Sequence, residues 1–218
     1  MKKIGFVDYY LDEWHANEYP KMIAEATNAN MQVCYAFGAI DSPNGGLTNK
    51  QWAVKNNVKL LATIEQVVEK SDYIIVLSPD NPEMHKKLSE KPLMSGKRVY
   101  IDKTFSNSSV EAEEMFALAE QHHTEMFTSS ALFYADELKG IEKEKITRII
   151  SRGTGSLENY SIHQIEPVIS LMGFYPKQVI FTGTHSQPSY IIEFENQKRA
   201  YIFHMEQIPF SMDIEYNA

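Results

Sequence analysis

The chain has 218 residues, 43% of them hydrophobic, a formal net charge of −8 and a single cysteine, Cys34. This length suits one large domain or two small ones, and an acidic chain without a basic cluster is not expected to bind nucleic acid or an anionic membrane. One cysteine excludes an internal disulfide, and no apolar stretch is long enough for a signal peptide or a membrane span, so a cytoplasmic protein is expected.

Short apolar segments alternate with helical segments over residues 1–128. The strands expected there are residues 3–7, 31–37, 58–61, 73–77, 98–101 and 125–129. One helix is expected over residues 21–28, with Pro20 in its first turn, and others start at Thr48 or Asn49, at Thr63, at Pro82 and at Ser108. This alternation predicts βαβ units, and hence an α/β domain with a doubly wound, parallel, Rossmann-like sheet over residues 1–128.

The pattern changes after residue 128. Strands are expected at residues 146–152, 177–184, 189–195 and 199–206, and a helix at 160–172 that ends at Gly173. The last two strands are joined by a short turn, as in a hairpin. Residues 129–218 are therefore predicted to form a small α+β domain with a mainly antiparallel sheet, short or incomplete at its C-terminus.

The most informative segment is residues 71–106, which reads as strand, helix, strand. Its two strands are apolar without alternation, as is typical of parallel strands covered on both faces. Residues just past the carboxyl ends of such strands line the ligand crevice of an open α/β sheet. Lys103 follows the second strand at that position and is a candidate for chemistry; a solvated lysine at a strand end is the alternative.

Several short motifs follow one another along the chain. They are Ser78-Pro79, His85, Gly96-Lys97-Arg98-Val99, Asp102-Lys103-Thr104, and Asn159-Tyr160-Ser161-Ile162-His163 before Leu171-Met172-Gly173. In this order and spacing they resemble the motifs of the Gfo/Idh/MocA oxidoreductases, over most of residues 1–175.

The resemblance implies hydride transfer between NAD or NADP and a sugar, cyclitol or other small polyol, in a homodimer or larger oligomer formed through the second sheet. It implies that Lys103 is the catalytic lysine and His163 the catalytic histidine, with Asn159 as its orienting group. An ammonium can stabilise alkoxide charge and a histidine can move a proton near neutral pH. The residues implied to line the cofactor crevice are Asp8, Tyr9, Tyr10, Ser78, Pro79, Asn81 and Asp102.

The first strand–helix turn departs from the family pattern. A dinucleotide fold needs glycines there so that the backbone can approach the pyrophosphate, whereas Asp8, Tyr10 and Glu13 stand at these positions. Tyrosine rings obstruct that approach, and carboxylates repel a pyrophosphate by about 1 kcal/mol per close charge pair even in water. No regular ligand spacing around Asp12 and His15 supports a metal site, and none is expected.

These features support an oxidoreductase as the leading hypothesis. The alternative is a non-catalytic ligand-binding or regulatory module of the same fold that has lost dinucleotide binding. A structural dimer partner for an active paralogue is a third possibility.

Overall fold

The computed structural model of this chain describes residues 1–43 and 45–217, so position 218 of the predicted second domain lies outside the described residues. The chain divides into two compact units, Met1–Thr128 and Ser129–Ala218. We call them the first and the second unit. Within the described residues, no helix combines the length and hydrophobicity that a membrane span requires.

A parallel sheet of six strands forms the first unit. The strands are β1 (Lys2–Asp8), β2 (Met31–Gly38), β3 (Lys59–Leu60), β4 (Tyr73–Val76), β5 (Arg98–Ile101) and β6 (Met126–Phe127). Their order in the sheet is β3-β2-β1-β4-β5-β6. The helices are α1 (Trp14–Ala26), α2 (Asn49–Lys55), α3 (Ile64–Lys70), α4 (His85–Leu93) and α5 (Ser109–Gln121). The predicted doubly wound, parallel α/β sheet is confirmed.

Apolar side chains cover both faces of this sheet. On one face, strand residues such as Val76 and Ile101 pack with side chains from α3, α4 and α5. On the other face, Phe6 packs with side chains from α1 and α2, including the fully buried Trp52. Strand β4 contributes Tyr73 and Ile75 to the second layer as well, so burial on both faces explains its apolar run without alternation. In β5 the expected cover on both faces is not found, because only Val99 and Ile101 belong to these clusters while Arg98 is exposed.

The predicted start of the first helix is wrong. Helix α1 begins at Trp14, so Pro20 lies inside it and not in its first turn. The side chain of Glu13 caps the helix by accepting hydrogen bonds from the backbone N–H groups of His15 and Ala16. These bonds stabilise an earlier start, and the packing of Ala16 in the core of the first unit acts with them against the cost of a proline in the helix interior.

The second unit contains a five-stranded sheet. Its strands are β7 (Ile146–Gly153), β8 (Gln178–Phe181), β9 (Ser189–Glu193), β10 (Arg199–His204) and β11 (Ser211–Tyr216), in the order β11-β7-β10-β9-β8. Only β7 and β10 pair in parallel, and the other neighbours are antiparallel. The predicted mainly antiparallel sheet is confirmed.

Two details of the second unit differ from the predictions. The predicted helix at 160–172 is two helices, α6 (Leu157–Tyr160) and α7 (Ile162–Met172), and α7 ends at Gly173 as predicted, with φ of +126°. Strand β11 was not predicted. It pairs with β7 at the edge of the sheet, and only Met212 and Ile214 contribute side chains to the core, so its apolar signal is short.

Candidate functional site

The carboxyl ends of β1, β4 and β5 form the candidate site of the first unit. From β1 the chain continues to β2 on one side, whereas β4 lies on the other side of β1 and leads to β5. Ligands of open α/β sheets bind at such a point of reversal. Asp8 is the last residue of β1, and Asp102 directly follows β5. Both positions were predicted from the sequence to line the crevice.

Asp8 is a buried carboxyl group with only 1% of its surface exposed. Its Oδ1 accepts a hydrogen bond of 2.7 Å from the backbone N–H of Tyr9, while Oδ2 has no hydrogen-bond partner among the described residues. Burial is the largest cause that raises the pKa of Asp8 well above its ordinary value, and the charge of Glu13 is the next. The site therefore favours the protonated form of this carboxyl group.

Glu13, His15 and Asp102 are linked across the site. One oxygen of Glu13, Oε2, accepts a hydrogen bond of 2.7 Å from the backbone N–H of His15 and lies 3.0 Å from its ring Nδ1. The other ring nitrogen, Nε2, lies 3.8 Å from Oδ2 of Asp102. The second oxygen of Asp102 accepts a hydrogen bond of 2.8 Å from the hydroxyl of Tyr100. His15 thus stands between a carboxylate at the start of α1 and one at the end of β5.

From the sequence, Glu13 was placed at a glycine position of the family pattern and His15 was considered for a metal site, but neither was predicted to contact the other or Asp102. The position of Asp102 after β5 was the one signal that could have connected them, because β1 and β5 both end at the same edge of the sheet. Among the described residues, no group of three or more His, Cys, Asp or Glu side chains could hold a metal ion.

Of the two tyrosines in the first turn, Tyr10 makes a polar contact and Tyr9 packs against the core. The Tyr10 hydroxyl donates a hydrogen bond of 3.2 Å to Oδ2 of Asp80, and burial raises the pKa of Tyr10 to about 12. Tyr9 packs against the core of the first unit, with its ring centroid 6.1 Å from that of Tyr10. Trp14 is 60% exposed and contacts the ring of His15 edge-on. Both tyrosines therefore fill space at the turn.

Ser78, Pro79 and Asn81 form a closed turn after β4. The Ser78 hydroxyl donates a hydrogen bond of 2.9 Å to the carbonyl of Asn81, whose own N–H donates to the carbonyl of Ser78. Ser78 adopts a φ of +85°, which is uncommon outside glycine. The Ser78 side chain is thus committed to shaping the turn.

Lys103 is half-buried, and its peptide bond to Thr104 is cis. The segment that follows it is held by His85, whose ring is fully buried. Nε2 of His85 lies 2.7 Å from the carbonyl oxygen of Leu77, and Nδ1 lies 3.0 Å from that of Phe105. The two carbonyls favour the imidazolium, but burial is the larger effect and lowers the pKa of His85. His85 therefore ties the end of β4 to the segment after Lys103.

His163 and Asn159 belong to the second unit. His163 lies in the first turn of α7, with ring centroids 5.6 Å from Tyr160 and 5.7 Å from Phe210. Asn159 lies in α6, where its N–H donates to the hydroxyl of Ser156 at the helix start. The two residues thus occupy consecutive short helices, and both are half-buried.

A sequence model of the family described as "Oxidoreductase family, NAD-binding Rossmann fold" matches residues 21–129, which is half of the chain. This chain belongs to the Gfo/Idh/MocA oxidoreductase family. The resemblance noted in the sequence is thereby confirmed. The matched region of this Gfo/Idh/MocA protein begins inside α1, so β1 and the first turn lie outside it. No curated protein matches the chain significantly.

Solved structures share the fold of this Gfo/Idh/MocA protein over nearly its whole length. An oxidoreductase from Bacillus cereus has 17% identity and a TM-score of 0.77, with 100% of this chain and 71% of that chain covered. UDP-N-acetylglucosamine 3-dehydrogenase from Acidithiobacillus ferrooxidans has 13% identity and a TM-score of 0.78, with 99% and 74% covered. An NAD-binding protein from Listeria innocua has 15% identity and a TM-score of 0.78, with 99% and 71% covered. At these identities the likeness establishes the fold.

The first turn of this Gfo/Idh/MocA protein does not fit a dinucleotide held in the usual way. Rossmann folds place the pyrophosphate against a glycine-rich turn and the start of the following helix. Here no glycine lies between Asp8 and Glu13, and the buried ring of Tyr10 occupies the turn. A pyrophosphate at this position would also meet buried carboxyl groups, so the residues present do not match that group.

Proposed function

We propose that this chain is an oxidoreductase acting at a hydroxyl-bearing carbon of a sugar, cyclitol or other small polyol. Its redox partner would be a nicotinamide cofactor, NAD or NADP, held without the usual phosphate contacts of the first turn. The observation that carries the proposal is Lys103, a half-buried lysine that follows β5 at the crevice edge, inside the region matched to the family.

Lys103 has a clear role in such a reaction. Oxidation of an alcohol removes the hydroxyl proton, and an adjacent ammonium group stabilises the alkoxide character that develops on the oxygen. The buried His85 positions the segment after Lys103, which supports a fixed location for the lysine. We propose that His163 accepts the hydroxyl proton while the hydride passes to the nicotinamide, with Asn159, four residues earlier, as the orienting group of His163, by analogy with the family motif.

The test is oxidation of a panel of cyclitols, sugars and nucleotide sugars with NAD⁺ or NADP⁺, followed by absorbance of the reduced cofactor. Lys103→Ala should lower kcat/KM by a factor of about 10² to 10³, the usual cost of removing one group that stabilises developing oxyanion charge. Lys103→Arg retains the charge and should retain part of the electrostatic effect. Lys87→Ala, which removes an exposed lysine of α4, is the matched control.

Two outcomes would reject the proposal. One is turnover that Lys103→Ala leaves unchanged. The other is saturable binding of a polyol, read from Trp14 fluorescence, without binding of NADH or NADPH at millimolar concentration. The second outcome would establish the non-catalytic ligand-binding or regulatory module instead.

A further inference from the structure

The start of helix α1 is already occupied by an anion that belongs to the chain itself. A helix N-terminus presents N–H groups without intrahelical partners and a positive dipole end, which together attract phosphates and carboxylates. In α1 the N–H groups of His15 and Ala16 both donate to the side-chain carboxylate of Glu13. The donors that a pyrophosphate would need are therefore used.

The Glu13 carboxylate is fixed in this position from a second side. Its side chain is only 4% exposed, and Nδ1 of His15 lies 3.0 Å from Oε2. His15 in turn lies against the side chain of Asp102 through Nε2, at 3.8 Å. Displacement of Glu13 would thus break two backbone hydrogen bonds and its contact with the ring of His15.

The surroundings of Glu13 also oppose a second anion. Asp8 is buried at the end of β1, and the charge of Glu13 already raises its pKa. A phosphate entering the turn would add negative charge next to these groups, in a place with little water to screen it. The negative charge and the limited space at the turn therefore both oppose the binding of a phosphate.

We infer that Glu13 is an internal substitute for the pyrophosphate of a dinucleotide and excludes phosphate groups from the start of helix α1. This inference deepens the proposed function, on which it rests for the identity of the excluded ligand. The cofactor's adenosine diphosphate half then contributes little to binding in this chain.

ADP-ribose is the appropriate probe, because it carries the pyrophosphate without the nicotinamide. Binding is measured by calorimetry and by the fluorescence of Trp14, which lies next to Glu13. Glu13→Ser keeps a side-chain oxygen that can cap the helix but removes the charge and most of the volume. Glu13→Gln keeps the size and removes the charge alone. Glu18→Gln, an exposed carboxylate of the same helix, is the control for net charge.

We expect Glu13→Ser to bind ADP-ribose at least tenfold more tightly than the wild type, and Glu18→Gln to match the wild type. The inference is overturned if the two proteins bind ADP-ribose with affinities that agree within twofold, or if neither binds it detectably. If circular dichroism shows that Glu13→Ser does not fold, Glu13→Gln decides the matter, with an expected gain of at least threefold and the same criterion for failure.

The two proposals fail in different ways. A tenfold gain in ADP-ribose binding without polyol oxidation by any variant would reject the oxidoreductase activity and keep the role of Glu13. Polyol oxidation by the wild type, with ADP-ribose binding unchanged in Glu13→Ser, would do the reverse.

Discussion

Asp8→Asn removes a buried acid from the end of β1 and keeps its shape. The asparagine carbonyl can still accept the hydrogen bond from the Tyr9 N–H that Asp8 accepts now. What changes is the capacity to ionise, and the structure makes ionisation costly because Asp8 is buried and lies near Glu13 and Asp102. The variant should therefore be more stable than the wild type at neutral pH.

The size of this effect depends on pH in a defined direction. An aspartate in the unfolded chain has a pKa of about 3.9. Because burial raises the pKa of Asp8 in the folded state, the folded protein holds one more proton than the unfolded chain between the two pKa values. In that interval the free energy of unfolding of the wild type falls by up to about 1.4 kcal/mol for each unit of pH increase. The protonated Asp8 side chain contributes its full share to the free energy of unfolding below the unfolded pKa, and this share is lost as pH rises through the folded pKa. Asparagine does not titrate, so the advantage of Asp8→Asn should grow with pH above about 4 and then level off.

Urea unfolding between pH 4.5 and 8 tests this prediction. Both tryptophans, Trp14 and Trp52, lie in the first unit, so their fluorescence reports the unfolding of the unit that contains Asp8. Glu18→Gln provides a control for the loss of one negative charge at an exposed position. A difference between Asp8→Asn and wild type that stays constant over this range, or that matches the difference for Glu18→Gln, would refute the reasoning.

Two further substitutions test the contacts around the site. A neutral imidazole carries one N–H, so His85→Leu removes the hydrogen bond that the carbonyl of Leu77 or of Phe105 accepts from the ring, which should cost about 1–3 kcal/mol of unfolding free energy. Because burial lowers the pKa of His85, the neutral ring stabilises the folded protein above the unfolded pKa of about 6.5, and this stabilisation is lost as pH falls. The urea stability of His85→Leu should therefore be less sensitive to acid than that of the wild type. Equal acid sensitivity would contradict this. Glu13→Ala removes the cap of α1 and should cost about 1 kcal/mol, which Glu13→Ser should largely restore, and a loss equal in both variants would argue against the capping role.

The sheets were predictable because their signals are local. Short apolar runs indicate buried strands, and the turn residues between them mark where each strand or helix ends. The start of α1 was missed because its cap comes from Glu13, a residue type that is not a usual N-cap, while Pro20 gave a stronger but misleading signal. Strand β11 was missed because only two of its side chains reach the core.

The candidate site was predictable only position by position. Asp8 and Asp102 could each be placed at a strand end from the sequence, since the carboxyl ends of parallel strands share one edge. The position of His15 near both Glu13 and Asp102 depends on side-chain rotamers and on the distance between strands. Neither can be read from the spacing of residues along the chain. For the same reason, the contact between the His85 ring and the carbonyl of Phe105 could not be predicted from the sequence.

The capped start of α1 also has a thermodynamic consequence. A turn that binds a nucleotide makes the stability of the folded protein depend on the nucleotide concentration, because a ligand that binds only the folded state stabilises it through mass action. Here Glu13 satisfies the same N–H groups in every molecule, at a fixed effective concentration that does not depend on metabolite levels. The first unit therefore carries a stabilising anion at the start of α1 covalently, and the order of this turn does not depend on the supply of nucleotides.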